Sequence, residues 1–292
     1  MYKISGIELW RWRQQAQQQA RLAQIPPGEV DWLLQEVAGL DRLSLKLETF
    51  KDAVEIGLRH SLSDLDQLWQ QRLQHVPVQY LAGTTSWRQF SLLVSPAVLI
   101  PRPETELLID LVLAAEVQLD QPSHWADLGS GSGAIALGLA EALPLAKIHA
   151  VEVSPAALEV AQQNAQRTGF ASRIRFYRGS WFEPLAALRG QLDGMVSNPP
   201  YIPQAMLADL QPEVQQEPQL ALDGGLDGLD CIRRLIVTAP AYLKSGGLWL
   251  VELMAGQARP VAELLAQQGD YRDIQIHADL TGIERFVLAY RR

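Results

Sequence analysis

The C-terminal two thirds of the chain alternates short apolar runs with segments of helical period. Seven strand-like runs occur, at 124–128, 147–152, 173–177, 192–197, 247–253, 272–277 and 284–290. Helical patterns lie between most of them, over 134–143, 155–167, 229–243 and 258–268. This alternation predicts an α/β fold of Rossmann-like type, built from βαβ units around a mostly parallel sheet. The last two runs are joined by only six residues, so we expect them to form an antiparallel hairpin at one edge of a seven-stranded sheet.

The first 75 residues have helical spacing and no run rich in β-forming residues. We predict a first helix broken by the two prolines before Gly28, a second over 29–37, a third from 43 toward 58, and a fourth capped by Ser61 or Ser63. On the first helix the apolar positions expected to share a face are Ile7, Trp10, Ala16 and Leu22. The predicted organisation is a helical bundle over 1–75, a linker and β-hairpin over 76–95, and an α/β domain over 96–292.

The loop that precedes the α/β pattern carries two prolines, in the segment from Ile100 to Glu106. Proline fixes φ, so this loop is expected to be rigid. Thr105 is expected to cap a helix over 106–117, because a Thr hydroxyl can accept a hydrogen bond from an unpaired N–H of the first turn.

Composition excludes several classes of protein. The 292 residues carry a net charge of −8, so no global basic field attracts nucleic acid, and direct nucleic-acid binding is not expected. The single cysteine, Cys231, excludes an intramolecular disulfide framework, and the five histidines show no metal-ligand spacing. No signal peptide and no apolar run of about 18 residues is visible. We therefore expect a cytoplasmic protein without a metal or a membrane span.

A glycine-rich loop follows the first strand of the predicted sheet and begins a helix. Glycine lets the backbone turn sharply and approach a ligand closely, and the loop alone is compatible with NAD, FAD or S-adenosylmethionine. Glu152 ends the second strand, where a carboxylate can accept hydrogen bonds from both ribose hydroxyls. The candidate cofactor-binding residues of this region are Asp127, Gly129, Ser130, Gly131, Ser132, Gly133 and Glu152. For Asp127 two roles stay open, orienting the loop or contacting a cationic amino group.

Ser180 and Trp181 follow the third strand, where the adenine edge of a nucleoside cofactor would lie in a doubly wound sheet. Trp181 can pack on the base there, or it can belong to the core. These residues, the glycine loop and Glu152 all follow strand C-termini, where such sheets bind ligands.

The most informative segment follows the fourth strand and consists of Asn198, Pro199, Pro200 and Tyr201. The Asn198 side-chain oxygen and the Pro199 carbonyl can each accept one hydrogen of a planar NH₂ group. The prolines stiffen the turn, and a tyrosine ring can stack on a flat amide or base. A methyltransferase acting on nitrogen needs such an acceptor pair, whereas a dehydrogenase does not. We therefore expect these four residues to bind substrate and support catalysis, with Asn198 also near the cofactor.

Together these motifs resemble the release-factor glutamine methyltransferase family (HemK type). The resemblance covers nearly the whole chain, from Pro77–Gly83 and Ile100–Glu106 through the glycine loop, 180–182 and 197–201, to 217–229, Gly282 and Glu284–Arg285. It implies an N-terminal helical domain that recognises a substrate protein and a catalytic domain that uses S-adenosyl-L-methionine and releases S-adenosyl-L-homocysteine. The implied substrate is the glutamine side-chain amide of the Gly-Gly-Gln loop in class-1 peptide chain release factors.

Three positions depart from the family's usual pattern. Glu152 replaces the usual Asp, Ser180 stands where many relatives have Asp before the Trp, and Leu253-Met254 stands where relatives often have Gly. The alternatives are a glutamine methyltransferase acting on a ribosomal protein, an amino-methyltransferase acting on DNA or RNA, and, from a different class, an NAD-dependent oxidoreductase.

Overall fold

The computed structural model describes residues 2–115 and 120–292. The chain divides into two units. One comprises residues 1–83 with 212–216, and the other comprises 84–211 with 217–292. The boundaries at 75 and 95 stay a prediction. Among the described residues, no helix is long and apolar enough to cross a membrane.

The first unit is mainly helical. Its elements are β1 (Tyr2–Ile4), α1 (Gly6–Leu22), α2 (Gly28–Ala38), α3 (Arg42–Leu47), β2 (Ile56–Leu58), α4 (Leu62–Leu73) and α5 (Val78–Ala82). Ser5 and Glu8 form a capping box at the start of α1, and Ser61 and Asp64 form another at α4. Each box satisfies N–H groups that would otherwise lack a partner, which explains why these helices begin where they do. The predicted cap at Ser61 is confirmed.

Four predictions for this unit were wrong in detail. The buried apolar face of α1 is Leu9, Trp12, Ala16 and Ala20, whereas Leu22 is 80% exposed. The third helix stops at Leu47 because Glu48 adopts a positive φ, and a short 3₁₀ turn follows it. Residues 56–58 instead pair with 2–4 as a small antiparallel sheet, although no strand was expected here. Part of the expected linker forms α5, which ends at Gly83.

Buried arginines connect helices inside this unit. Arg13 donates to Asp31 at 2.6 Å and to Glu48 at 2.9 Å. Arg72 donates to Glu29 at 2.5 Å and pairs with Glu213 of the 212–216 segment at 2.9 Å. Guanidinium groups suit such sites because they can bind two carboxylates in fixed directions.

The second unit contains the predicted alternation. Its elements are β3 (Thr84–Trp87), β4 (Phe90–Leu93), α6 (Leu107–Ala114), β5 (Ser123–Leu128), α7 (Ala134–Ala142), β6 (Ala146–Glu152), α8 (Pro155–Thr168), β7 (Ile174–Arg178), β8 (Leu192–Ser197), α9 (Asp230–Thr238), β9 (Leu243–Glu252), α10 (Ala258–Gln268), β10 (Tyr271–Ala278) and β11 (Glu284–Arg291). All seven predicted strands and the 84–94 hairpin are confirmed. The helix predicted over 106–117 begins as a 3₁₀ turn and continues as α6, and residues 116–119 lie outside the described residues.

The seven-stranded sheet has the order β10-β11-β9-β8-β5-β6-β7. Strands β5 to β9 run parallel, and β11 is antiparallel to both β9 and β10, which confirms the predicted edge hairpin. Neighbouring strand residues face opposite cores, since Trp125 belongs to the core under α6 and α7 and Ala126 to the core under α9 and α10. The strand order reverses at β5, between β6 and β8. In open α/β sheets ligands bind at this reversal, outside the C-terminal strand ends.

Candidate active site

A cavity of about 550 Å³ opens where the strand order of the sheet reverses. Its wall includes predicted residues from the loops after four strands, namely Gly129, Gly131, Glu152, Ser180, Trp181 and Asn198. The volume lies within the range of ~300–1,000 Å³ that is usual for small-molecule sites. Residues 96–99 and 218–221, which were not predicted to contribute, complete the wall.

The glycine loop connects β5 to α7. Gly129, Gly131 and Gly133 all have positive φ. A Cβ on Gly133 would lie 3.1 Å from the Cβ of Ala161 on α8, so this position also needs glycine for close packing. Gly129 and Gly131 line the cavity, whereas Gly133 does not.

The two serines of this loop face the protein rather than the cavity. The Ser130 hydroxyl donates to the Asp127 carbonyl at 3.0 Å, and the Ser132 carbonyl accepts from Asn164 at 2.9 Å. Both serines are buried. Their side chains and main chain therefore maintain the loop's shape.

Asp127 is fully buried and does not line the cavity. Its Oδ2 accepts the Ala136 N–H at 3.0 Å, in the first turn of α7, while its Oδ1 has no hydrogen-bond partner. Burial raises the pKa of Asp127 to about 7. Of the two roles left open for Asp127, the geometry favours orienting the loop and helix.

Glu152 ends β6 beside the glycine loop. One carboxylate oxygen accepts the Gly131 N–H at 2.9 Å and the other accepts the Ser154 N–H at 2.8 Å. A carboxylate can accept about four hydrogen bonds, so both oxygens keep capacity for hydroxyl donors in the cavity. The longer side chain of Glu, relative to Asp, is accommodated by these two main-chain contacts.

Trp181 follows β7 and has the positive φ that is uncommon for a large residue. The would-be Cβ of Gly129 lies 3.5 Å from the Trp181 ring, so the indole packs on that glycine while lining the cavity. The next residue, Phe182, is buried and stacks on Tyr242 with ring centroids 4.6 Å apart. The turn thus directs Trp181 toward the cavity and Phe182 toward the core, with Ser180 at the wall.

The predicted acceptor segment leaves the end of β8. The Ser197 hydroxyl donates to the Leu128 carbonyl at 2.6 Å and connects the ends of β8 and β5. Asn198 donates from its Nδ2 to the Thr105 Oγ1 at 3.2 Å, which leaves Oδ1 as the amide atom able to accept. Asn198 and Pro200 line the cavity, whereas Pro199 is buried. Thr105 does not cap α6 as expected, because it lies inside the preceding 3₁₀ turn, where its hydroxyl meets Asn198.

Tyr201 is half-buried and packs against the core under α9 and α10 rather than lining the cavity. Burial raises the pKa of its hydroxyl, so the phenol is neutral. Its carbonyl accepts from the Gln257 side chain at 2.9 Å. A Cβ on Gly228 would overlap that same carbonyl oxygen, so the turn packs closely against a second glycine-rich loop.

Sequence reasoning missed several residues of this site. Gln257 and Glu252 were not singled out, although Glu252 ends an apolar strand as Glu152 does. Glu217 is buried, accepts the Ile100 N–H at 3.1 Å and pairs with Arg102 at 2.5 Å. Two signals in the sequence pointed to these residues. Glu252 is a charged residue at the end of a buried strand, and the partner of Glu217 lies in a Pro-Arg-Pro loop.

Among residues 2–115 and 120–292, no three His, Cys, Asp or Glu side chains are grouped as a metal site requires.

The fold and the position of the cavity are those of a methyltransferase. The model of the methyltransferase small domain family matches residues 105–216. A release factor glutamine methyltransferase of Synechocystis sp. is 54% identical over 98% of this chain and 97% of its own length. That of Thermosynechococcus vestitus is 47% identical, over 98% and 99% respectively.

Among solved structures, the catalytic domain of hMettl16 aligns with a TM-score of 0.55, covering 69% of this chain and 75% of that chain. At 18% identity this likeness shows the fold alone. The two bacterial relatives show the family as well as the fold, because their sequences match this chain over nearly its full length. The chain belongs to the release factor glutamine methyltransferase family, and it is an enzyme. The oxidoreductase alternative is therefore set aside.

Proposed function

We propose that the protein transfers a methyl group from S-adenosyl-L-methionine to the side-chain amide nitrogen of a protein glutamine. The observation that carries the proposal is the placement of Asn198 in the wall of the cavity that Glu152 and the glycine loop also line. A nitrogen held at Asn198 would face a cofactor held by those residues.

The chemistry of the wall fits this cofactor. Glu152 offers acceptors for ribose hydroxyls, Gly129 and Gly131 permit close approach of the backbone, and the Trp181 ring offers an apolar surface for adenine. When bound, the cofactor supplies an electrophilic methyl group on a sulfonium. Ser180 is uncharged, so a contact from it to the adenine amine would be a neutral hydrogen bond.

The acceptor segment supports a role in orienting nitrogen. An amide nitrogen is a poor nucleophile because its lone pair is delocalised into the carbonyl. Asn198 Oδ1 and the Pro199 carbonyl would accept its two hydrogens and hold the nitrogen in line with the methyl group. Partial positive charge on nitrogen in the transition state strengthens both contacts, which is how they would lower the barrier. Tyr201 would contact the amide plane or support the turn from the core side.

The names of the relatives support a glutamine of a release factor as the acceptor. We assign that glutamine to the Gly-Gly-Gln motif of class-1 release factors. The product cofactor would be S-adenosyl-L-homocysteine. We assign recognition of the release factor to the N-terminal helical region, which carries no part of the cavity wall. The substrate puts the reaction in the cytoplasm, and no metal and no direct contact with nucleic acid are required.

The test uses labelled S-adenosylmethionine and four acceptors, namely a class-1 release factor, its Gly-Gly-Gln glutamine→Ala variant, ribosomal protein and DNA. We expect label only in the unmodified release factor. Asn198→Ala should abolish transfer while largely retaining S-adenosylmethionine binding by calorimetry. Label in DNA or ribosomal protein instead would replace the proposed substrate. Normal turnover by a folded Asn198→Ala protein would remove Asn198 from the mechanism.

A further inference from the structure

Glu252 is a fully buried carboxyl group that the proposed mechanism does not use. It ends β9, the strand next to β8. Ser197 pairs with Val251 in the parallel register, so Asn198 and Glu252 are the next residues along two adjacent strands. Glu252 has no exposed surface at all. An ionised carboxyl group in such a place is costly unless it is paired and hydrogen-bonded.

Among the described residues, no arginine, lysine or histidine forms an ion pair with Glu252. The charged groups that face it are Glu104, Arg102 and Arg285, together with the Tyr201 phenol. Each arginine already has a carboxylate of its own, Arg102 pairing with Glu217 at 2.5 Å and Arg285 with Asp279 at 2.7 Å.

The Thr105 hydroxyl is a neutral hydrogen-bonding group beside Glu252. Neither carboxyl oxygen of Glu252 has a hydrogen-bond partner among the described residues, but the Thr105 hydroxyl lowers the pKa of Glu252 against the effect of burial, which places this hydroxyl close to the carboxyl group. Thr105 therefore contacts Asn198 and lies close to Glu252.

An asparagine amide can present either its oxygen or its NH₂ group, and only the oxygen can accept from a substrate amide. The orientation of Asn198 depends on Thr105, which must accept from Nδ2 if Oδ1 is to face the substrate. A threonine hydroxyl has one proton. When that proton is donated to Glu252, the hydroxyl keeps its lone pairs for Asn198.

We propose that Thr105 and Glu252 are positioning residues that orient Asn198, through hydrogen bonds running from Asn198 Nδ2 to Thr105 Oγ1 and from the Thr105 hydroxyl to the Glu252 carboxylate. This inference rests on the proposed function. It makes the amide-binding specificity of the site depend on a carboxyl group that does not touch substrate. It also explains why a threonine stands inside a 3₁₀ turn where it caps no helix.

The arrangement has a pH dependence. A protonated Glu252 can donate to Thr105, and the Thr105 proton is then free to point at the Asn198 oxygen, which favours the wrong orientation. Burial raises the pKa of Glu252 to about 7. The turnover number is therefore expected to rise as pH increases through about 7, in step with ionisation of Glu252.

The decisive experiment compares Thr105→Val, which keeps the shape and removes the hydroxyl, with Thr105→Ser, which keeps the hydroxyl. We expect kcat to fall about 10- to 100-fold in Thr105→Val, on the scale of losing one oriented polar group at a reacting centre. KM for the release factor and the affinity for S-adenosylmethionine should change less than about threefold. Thr105→Ser should recover most of kcat. Equal activity of Thr105→Val and wild type, or equal losses in both variants, would overturn the inference.

The second arm measures kcat against pH for the wild type and Glu252→Gln, whose side-chain oxygen can still accept from Thr105. The rise near pH 7 should be present in the wild type and absent in Glu252→Gln. The same rise in both proteins would overturn the role of Glu252. If the wild type does not label the release factor, the proposed function fails; if it does and Thr105→Val is as active, only the present inference fails.

Discussion

Substituting Gly228 by alanine tests whether the acceptor turn depends on close packing against the glycine-rich loop. Gly228 has φ +79°, and an added Cβ would overlap the Tyr201 carbonyl oxygen and lie 2.6 Å from Gln257 Nε2. Both atoms belong to the hydrogen bond that holds the Tyr201 carbonyl at 2.9 Å. The substitution therefore acts on the turn that carries Asn198 without altering any predicted site residue.

The expected loss in the free energy of unfolding of Gly228→Ala has three parts. Alanine in the left-handed region costs roughly 1–2 kcal/mol. Ordinary contact requires Gln257 or the turn to move by roughly 1 Å, and overpacking of this kind costs about 1–3 kcal/mol. Loss of the Gln257 hydrogen bond adds about 1 kcal/mol. The free energy of unfolding should fall by roughly 3–6 kcal/mol in total, and a 1 Å displacement of the turn should lower kcat on the order of 100-fold.

Gly169→Ala is the matched control, because Gly169 has φ +81° and an added Cβ would meet nothing within 4 Å. This variant carries the backbone strain alone, so its free energy of unfolding in urea should fall by roughly 1–2 kcal/mol. Its kcat should be unchanged. The difference between the two variants isolates the packing against Tyr201. If Gly228→Ala were no less stable and no less active than Gly169→Ala, the packing argument would be wrong.

Three further predictions concern charged groups. Glu152→Gln should weaken S-adenosylmethionine binding about 10-fold or more in calorimetry, because charged acceptors are worth about 1.5–3 kcal/mol; unchanged affinity would exclude contact with the ribose. Burial raises the pKa of Glu252 to about 7 from 4.5, so its stabilising contribution is complete below pH 4.5 and is lost as pH rises through about 7. Glu252→Gln should therefore be the more stable protein at pH 8, by up to about 3 kcal/mol, and show little gain at pH 4.5 in urea titrations. Arg13→Met removes hydrogen bonds to the partly exposed carboxylates of Asp31 and Glu48 and should destabilise the helical unit by about 1.5–3 kcal/mol in thermal unfolding, whereas an unchanged transition would show that the pairs contribute nothing.

The α/β sheet was predictable because its signals are local. The central strands β5, β6, β8 and β9 are apolar runs whose residues are mostly buried, and helical patterns separate most of the strands. The loops after β5, β6, β7 and β8 could then be assigned to one end of the sheet, since parallel strands end on the same side. Gly129, Glu152, Trp181 and Asn198 were placed together on that basis, and all four line one cavity.

Predictions failed where the outcome depends on distant partners. The buried face of α1 includes Trp12 and the charged Arg13, because Asp31 and Glu48 compensate the charge of the guanidinium group. Residues 56–58 form a strand only because residues 2–4 are present to pair with them. Helical periodicity contains no information about either partner.

The sequence by itself determined the class of fold, the end of the sheet at which the cavity lies and the family of the enzyme, because periodicity, strand-end residues and linked motifs are all written along the chain. Only the tertiary structure decided what each side chain does there. It turned Asp127 away from the cavity and toward α7, packed Tyr201 on the core, and joined Thr105 to Asn198 from a segment 93 residues before it. Hydrogen-bond partners and burial are set by distances between elements, and those distances exist only once the sheet has formed.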